Sequence, residues 1–181
     1  MDNTVINLKH VRKITRLPST RVVLIGFMGS GKSSIGRLLA KERKTFFLDT
    51  DAMIESSEGK TISQIFEEEG EEYFRALEDE TVAWLNENVS KAIISAGGGM
   101  LVYCKALKEL GTVVYLKVPF KTILSRMSPT ELEKRPLFKN PQEAEELYNK
   151  RNAIYEELAD VIIDADDRLE NVLQACHKAQ L

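Results

Sequence analysis

The feature that most constrains this chain is a glycine-rich octapeptide that directly follows a short apolar run. Residues 22–25 read Val-Val-Leu-Ile, and residues 26–33 read Gly-Phe-Met-Gly-Ser-Gly-Lys-Ser. The segment 34–41 contains a single helix breaker, Gly36, so the pattern predicts a strand, a glycine loop and a helix. The N–H groups of such a loop and the positive end of the helix dipole bind a polyphosphate. The octapeptide therefore predicts a nucleotide-binding site.

Lys32 and Ser33 have separate expected roles in this loop. Lys32 would reach the β- and γ-phosphates as a point charge, and the Ser33 hydroxyl would occupy one position on a Mg²⁺ ion. The alternative interpretation is a flexible glycine turn with a solvated lysine. The residues expected to contact the nucleotide are Gly29, Ser30, Gly31, Lys32, Ser33 and Ser34.

Length and charge limit the remaining possibilities. A chain of 181 residues is the size of one domain with a single hydrophobic core. Its net charge of −3 and the lack of a long basic run argue against nucleic acid and anionic membranes as partners. No apolar stretch approaches about 18 residues, and no signal-peptide pattern is visible, which predicts a cytoplasmic protein. Cys104 and Cys176 are expected to be reduced structural thiols, and His10 and His177 form no zinc-ligand cluster.

Short apolar strands alternate with helical segments along the chain. This order predicts an α/β fold with a five-stranded parallel sheet covered on both faces, in a three-layer α/β/α arrangement. Residues 1–20 are expected to form an N-terminal extension, and residues 21–181 a single domain. The five expected strands are residues 21–25, 45–48, 92–95, 112–116 and 161–163.

Right-handed crossovers bring the carboxyl ends of such strands to one rim of the sheet. Asp49 and Asp51 lie two residues apart at one of these ends. One carboxylate could therefore serve a metal while the other acts as a base toward a hydroxyl acceptor. The alternative is that both only cap the next helix. The residues expected on the rim are Gly26, Asp49, Gly97 and Asp164.

Several arginines could face the same rim. Arg75, Arg135 and Arg151 are suited to hold a carboxylate or to balance charge on a transferring phosphoryl group. The alternative is that they are solvated, with Arg75 and Glu78 forming a surface ion pair three residues apart on a helix.

Residues 97–99 are three consecutive glycines after a buried strand. Such a run is typical of a close approach of the backbone to a ligand or to the phosphate loop, and a tight turn is the alternative.

Together these motifs resemble the shikimate kinase family, over about residues 20–178. The resemblance implies a P-loop kinase of the nucleoside-monophosphate-kinase type, with a mobile lid at about residues 128–140. It also implies transfer of the γ-phosphate of ATP, with Mg²⁺, to the 3-hydroxyl of shikimate. The motifs are Gly-Phe-Met-Gly-Ser-Gly-Lys-Ser at 26–33, Asp-Thr-Asp at 49–51, Phe74-Arg75-x-x-Glu78, Gly-Gly-Gly at 97–99, Arg135-Pro136-Leu137 and Arg151-x-x-x-Tyr155-x-x-x-Ala159-Asp160.

On the acceptor side, the resemblance implies a role for five residues. Asp51 would bind the hydroxyls of shikimate and act as the catalytic base. Arg75 and Arg151 would bind its carboxylate, and Gly97 and Gly98 would contact it from the glycine segment.

On the nucleotide side, the resemblance implies that Lys32 and Arg135 take part in catalysis, with Arg135 closing over the ATP phosphates from the lid. Ser33 and Asp49 would serve the metal. Arg168, after the last strand, would lie near the adenine.

Two alternatives remain open, a kinase of another small hydroxy acid such as gluconate and a catalytically silent relative that only binds. The expected partners are ATP and shikimate, and the expected state is a monomer. The first 20 residues have no counterpart in the family pattern, and the sequence predicts no role for them.

Overall fold

A computed structural model describes residues 10–15, 19–128, 132 and 136–181. The strands are β1 Val11–Ile14, β2 Arg21–Ile25, β3 Phe46–Asp49, β4 Ala92–Ser95, β5 Thr112–Lys117 and β6 Val161–Asp164. The α-helices are α1 Lys32–Glu42, α2 Thr50–Glu58, α3 Ile62–Glu68, α4 Gly70–Asn88, α5 Met100–Tyr103, α6 Phe120–Arg126, α7 Pro141–Leu158 and α8 Leu169–Lys178. Two 3₁₀ helices, Lys105–Glu109 and Pro136–Lys139, complete the described elements.

The strands form one sheet in the order β1-β6-β5-β2-β4-β3. Strands β2 to β6 are parallel, as predicted, but β1 adds a sixth strand that pairs with β6 in the antiparallel direction. This edge strand corrects the expected count of five, and it comes from the segment predicted to be an extension. Its alternating pattern was hard to detect because Val11 and Lys13 are only half-buried, while Arg12 and Ile14 are exposed.

The apolar strands are covered on both faces, which explains why they contain continuous hydrophobic runs. Val22 and Leu24 of β2 point to one face and pack in the same cluster as Leu39 of α1. Val23 of the same strand points to the other face and packs in the cluster that contains Leu85 of α4. The predicted three-layer arrangement is therefore confirmed.

Helix α1 lies unusually close to the sheet. A Cβ atom on Gly36 would stand 2.4 Å from Cε2 of Phe47 in β3, so the glycine permits this approach. The helix also buries Ile35 and Leu39, while Leu38 is only half-buried. None of the described helices is long and apolar enough to cross a membrane.

We expect Leu39→Ala to lower the free energy of unfolding by about 2–5 kcal/mol, because it leaves a cavity between α1 and the sheet. Leu38→Ala on the same helix is the matched control and should cost clearly less, since Leu38 is half-buried. Urea denaturation of both variants measures the difference. Equal losses would contradict the packing of α1 described above.

Candidate active site

A cavity of about 780 Å³ opens at the carboxyl ends of β2, β3 and β4. Its volume is in the range typical of small-molecule sites. The residues that line it include most of those predicted from the sequence: Gly29, Gly31, Lys32, Ser33, Ser34, Asp49, Asp51, Arg75, Gly97, Gly98 and Arg151.

The phosphate loop joins β2 to α1 along one wall of the cavity. Gly26, Gly29 and Gly31 have φ angles of +152°, +81° and +90°, a region that side chains disfavour. The ammonium of Lys32 donates a hydrogen bond to the carbonyl oxygen of Gly26 at 2.8 Å, which holds it over the loop. Ser30 is the one predicted loop residue that does not line the cavity, because it is buried beneath Gly26.

Ser33 and Asp49 form the part of the site that could hold a metal. The Ser33 hydroxyl donates to the Asp49 carboxylate at 3.3 Å. Asp49 also accepts a hydrogen bond from the Ala52 N–H at 3.4 Å, so it caps α2 as the alternative interpretation expected. A hydroxyl and a carboxylate fit Mg²⁺, which takes its other ligands from water and substrate phosphates. Among the described residues, no group of three or more His, Cys, Asp or Glu side chains is arranged so that it could hold a metal ion by itself.

Asp51 lies in the first turn of α2 and faces the cavity. Burial raises the pKa of its carboxyl, and the charge of Asp49 raises it further, while Lys32 and Arg75 act in the opposite direction. A carboxylate with a raised pKa is a stronger base toward a hydroxyl proton. The position beside Lys32 suits proton transfer next to the phosphates.

The glycine segment between β4 and α5 allows side chains from other elements to approach its backbone. A Cβ atom on Gly97 would stand 2.4 Å from Oδ1 of Asp51. One on Gly99 would stand 3.0 Å from Nη1 of Arg75 and 3.2 Å from Nη2 of Arg151. None of these glycines has a positive φ, so close approach rather than a left-handed turn explains their presence. The neighbours of the segment are thus side chains of other elements, and the Met100 N–H donates to the carbonyl oxygen of Gly97 at 3.1 Å, so the segment also contains the turn that the alternative expected.

Arg75 of α4 is held from several sides. It donates to the Glu78 carboxylate at 2.6 Å and to the Glu71 carboxylate at 2.8 Å, and it lies 4.0 Å above the ring of Tyr103. Glu78 is 1% exposed, and burial raises the pKa of its carboxyl while Arg75 lowers it. The alternative of a surface ion pair is therefore wrong, since the pair lies in the cavity wall.

Arg151 of α7 completes the pair of guanidinium groups at the glycine segment. It lies 6.0 Å from the ring of Phe27 in the phosphate loop. One turn later on the same helix, the Tyr155 hydroxyl donates to the carbonyl oxygen of Gly98. Tyr155 had no predicted role, although its spacing of four residues from Arg151 places both on one helix face.

The remaining arginines are Arg126, which had no predicted role, and Arg168 and Arg135, which were predicted on the nucleotide side. Arg126, at the end of α6, lines the cavity although the sequence analysis did not select it. The only signal for it was a basic residue in the last turn before the predicted lid. Arg168 does not line the cavity and stands exposed as the N-cap residue of α8. Arg135 lies outside the described residues, as does part of the predicted lid at 128–140.

The family model named Shikimate kinase matches residues 28–180 of this chain. The chain belongs to the shikimate kinase family. A shikimate kinase of Helicobacter hepaticus is 48% identical over 145 residues, which cover 80% of this chain and 86% of the relative. The predicted family and reaction class, an ATP-dependent kinase acting on shikimate, are thereby confirmed.

Solved structures of shikimate kinases share the fold. The enzyme of Aquifex aeolicus gives a TM-score of 0.76 at 38% identity, covering 88% of this chain and 95% of that one. The enzyme of Acinetobacter baumannii, solved in complex with shikimate, gives 0.79 at 33% identity, covering 91% and 93%. A gluconokinase of Sinorhizobium meliloti covers 93% and 94% but gives only 0.51 at 18% identity, so it shares the fold alone.

We expect Thr50→Val to destabilise this shikimate kinase family member by about 1–3 kcal/mol, because it leaves a half-buried N–H group without its acceptor. Thr50 is fully buried, and its hydroxyl oxygen accepts a hydrogen bond from the Gly97 N–H at 2.9 Å. Thr50→Ser keeps that acceptor and should lose less stability in chemical denaturation. If serine and valine cost the same, the hydrogen bond does not hold the two segments together.

Proposed function

We propose that the cavity transfers the γ-phosphate of ATP to the 3-hydroxyl of shikimate, giving shikimate 3-phosphate and ADP in the pathway to aromatic amino acids. The observation that carries this proposal is the convergence of Asp51, Arg75 and Arg151 on the glycine segment beside the phosphate loop. Two guanidinium groups suit a carboxylate, and a buried carboxylate suits neighbouring hydroxyls. An anionic polyol such as shikimate presents both.

On the nucleotide side, the loop N–H groups and the first turn of α1 would hold the phosphates, from Gly29 to Ser34. The ammonium of Lys32 would break its hydrogen bond to the carbonyl oxygen of Gly26 and bind the β- and γ-phosphates. Ser33 and Asp49 would hold Mg²⁺, which neutralises charge on the phosphate oxygens when bound. We also assign Arg135 to the transferring phosphoryl group and Arg168 to the adenine side, on the family resemblance alone.

On the acceptor side, Arg75 and Arg151 would fix the carboxylate of shikimate, and Gly97 and Gly98 would contact it through their backbone. Asp51 would accept the proton of the 3-hydroxyl of shikimate while the oxygen of that hydroxyl forms a bond to the γ-phosphorus. The bond between that phosphorus and the bridging oxygen breaks, and ADP leaves with the electron pair. This assignment gives the raised pKa of Asp51 a function, because proton affinity favours the transfer.

The residues assigned above to ATP and to shikimate all belong to one chain, so we propose that the protein acts as a monomer. Its net charge of −3 and the lack of a long basic run are consistent with small-molecule substrates in the cytoplasm.

The proposed acceptor can be tested by coupled ADP release with Mg-ATP and equal concentrations of shikimate, gluconate or no acceptor. We expect a rate only with shikimate. A comparable rate with gluconate would favour the hydroxy-acid alternative, and ATP binding without any acceptor-dependent rate would favour a silent binding protein.

We expect Asp51→Asn to lower kcat with shikimate by about 10²–10⁴-fold with little change in ATP affinity, because it removes the base and keeps the shape. Lys32→Ala should weaken both turnover and ATP binding. Steady-state rates and a direct ATP titration separate the two effects. If both variants lose ATP affinity equally, Asp51 does not have the role assigned to it.

The same assignment predicts the pH dependence of kcat/KM for shikimate. Because burial and neighbouring carboxylates raise the pKa of Asp51, activity should fall with decreasing pH through a value above about 4, the ordinary value for aspartate. Glu55 contributes to this increase. Glu55→Gln removes the charge of Glu55 while keeping an oxygen acceptor for the Ile62 N–H. The pKa of Asp51 should then be lower, so the acid limb of the profile, the part where activity falls with decreasing pH, should move to lower pH.

The matched control for this shift is Glu58→Gln, on the same helix but outside the cavity lining. It should leave the acid limb where it is in the unmodified protein. An acid limb that stays fixed in Glu55→Gln, or moves to higher pH, would contradict the assignment of the limb to Asp51.

A further inference from the structure

The N-terminal strand β1 and His10, which precedes it, contact residues 164–168, a segment that begins at the last residue of β6. The Asp164 N–H donates to the carbonyl oxygen of His10 at 2.8 Å. The Arg12 guanidinium donates to the Asp164 carboxylate at 2.6 Å, and Nε2 of His10 lies 3.4 Å from the Asp167 carboxylate. The edge strand therefore secures this segment through both backbone and side chains.

The same segment contacts the cavity wall through Arg126. Its guanidinium donates to the carbonyl oxygen of Ala165 at 2.8 Å and to that of Asp167 at 3.5 Å. Arg126 and the adjacent Met127 both line the cavity. Met127 packs against the phosphate loop: a Cβ atom added to Gly29 would stand 2.4 Å from Cε of Met127. Arg126 thus lies at the phosphate-loop end of the cavity.

We infer that β1 is a positioning element for the nucleotide. It holds residues 164–168 in place, and these residues hold Arg126 in the cavity wall beside the phosphate loop. A wall that is already ordered costs less conformational entropy when the nucleotide binds. This inference rests on the proposed nucleotide site, and it assigns a role to His10 and Arg12, which the sequence analysis left without one.

The opposite end of β1 provides a matched control, because its side chains donate to residues that precede β6 and its backbone pairs with Val161 and Ile162. The Lys13 ammonium donates to the carbonyl oxygens of Glu156 and Glu157 at the end of α7, at 3.1 and 3.2 Å. The Thr15 hydroxyl donates to the carbonyl oxygen of Asp160 at 3.1 Å. These contacts secure the same strand without reaching residues 164–168.

The test compares two double variants of the full chain, His10→Ala with Arg12→Gln, and Lys13→Gln with Thr15→Val. For the first, we expect KM for ATP and the dissociation constant of ADP to rise about two- to tenfold, the range of one or two exposed charge contacts. KM for shikimate and kcat at saturating ATP should change by less than about twofold. The second double variant should leave both nucleotide constants unchanged. Calorimetry with ADP alone gives the dissociation constant without any turnover.

Unchanged nucleotide constants in the first double variant would overturn the inference, whatever happens to thermal stability. Equal increases in both double variants would also overturn it, because β1 would then act only through general stability. Arg12→Lys as a single variant keeps the charge and should retain most of the nucleotide affinity. Normal ADP binding without shikimate turnover in the unmodified chain would refute the proposed function alone, since the ADP constants still test β1.

Discussion

The acceptor side of this cavity depends on a steric constraint, the lack of Cβ atoms in the glycine segment after β4. Side chains from α2, α4 and α7 approach the same stretch of backbone, and Asp51 comes so near Gly97 that an added Cβ would stand 2.4 Å from its oxygen. Any side chain at that position would displace the carboxylate or the segment itself. Asp51, Arg75 and Arg151 therefore meet at a short segment after β4 and are carried by helices, an arrangement that suits the precise binding proposed for a small acceptor.

Much of this fold could be predicted because its determinants are local in sequence. Strands buried on both faces produce apolar runs such as residues 92–95, and a phosphate loop needs its glycines and lysine at fixed spacing. The edge strand β1 escaped prediction because only one of its faces is covered, and there the half-buried residues are Val11 and Lys13. Its apolar Ile14 is 43% exposed, so hydrophobicity along this strand does not follow its burial. An edge strand of this kind is defined by its hydrogen-bonding partner β6, which lies about 150 residues away in the chain.

In the candidate site, too, some features follow from the local sequence and others only from contacts between distant parts of the chain. A pair such as Arg75 and Glu78 has the same spacing whether it lies on the surface or in a cavity wall, and only the packing of α4 against the glycine segment and Tyr103 distinguishes the two. Arg168 was predicted near the adenine from the family resemblance, whereas Arg126 had no predicted role. Their different exposure to the cavity follows from the end of α6, which directs Arg126 toward residues 164–168, whereas Arg168 begins a surface helix.

The buried charges at the acceptor side are unfavourable to stability but favourable to binding. One oxygen of Glu78 is buried without a hydrogen-bond partner among the described residues, and burial also disfavours the charged form of Asp51. In return, Arg75 is held by two carboxylates and an aromatic ring before any acceptor arrives. A guanidinium already fixed in this way loses little conformational freedom when it binds a carboxylate. The cavity therefore concentrates its unfavourable electrostatics on residues that we propose bind an anionic acceptor.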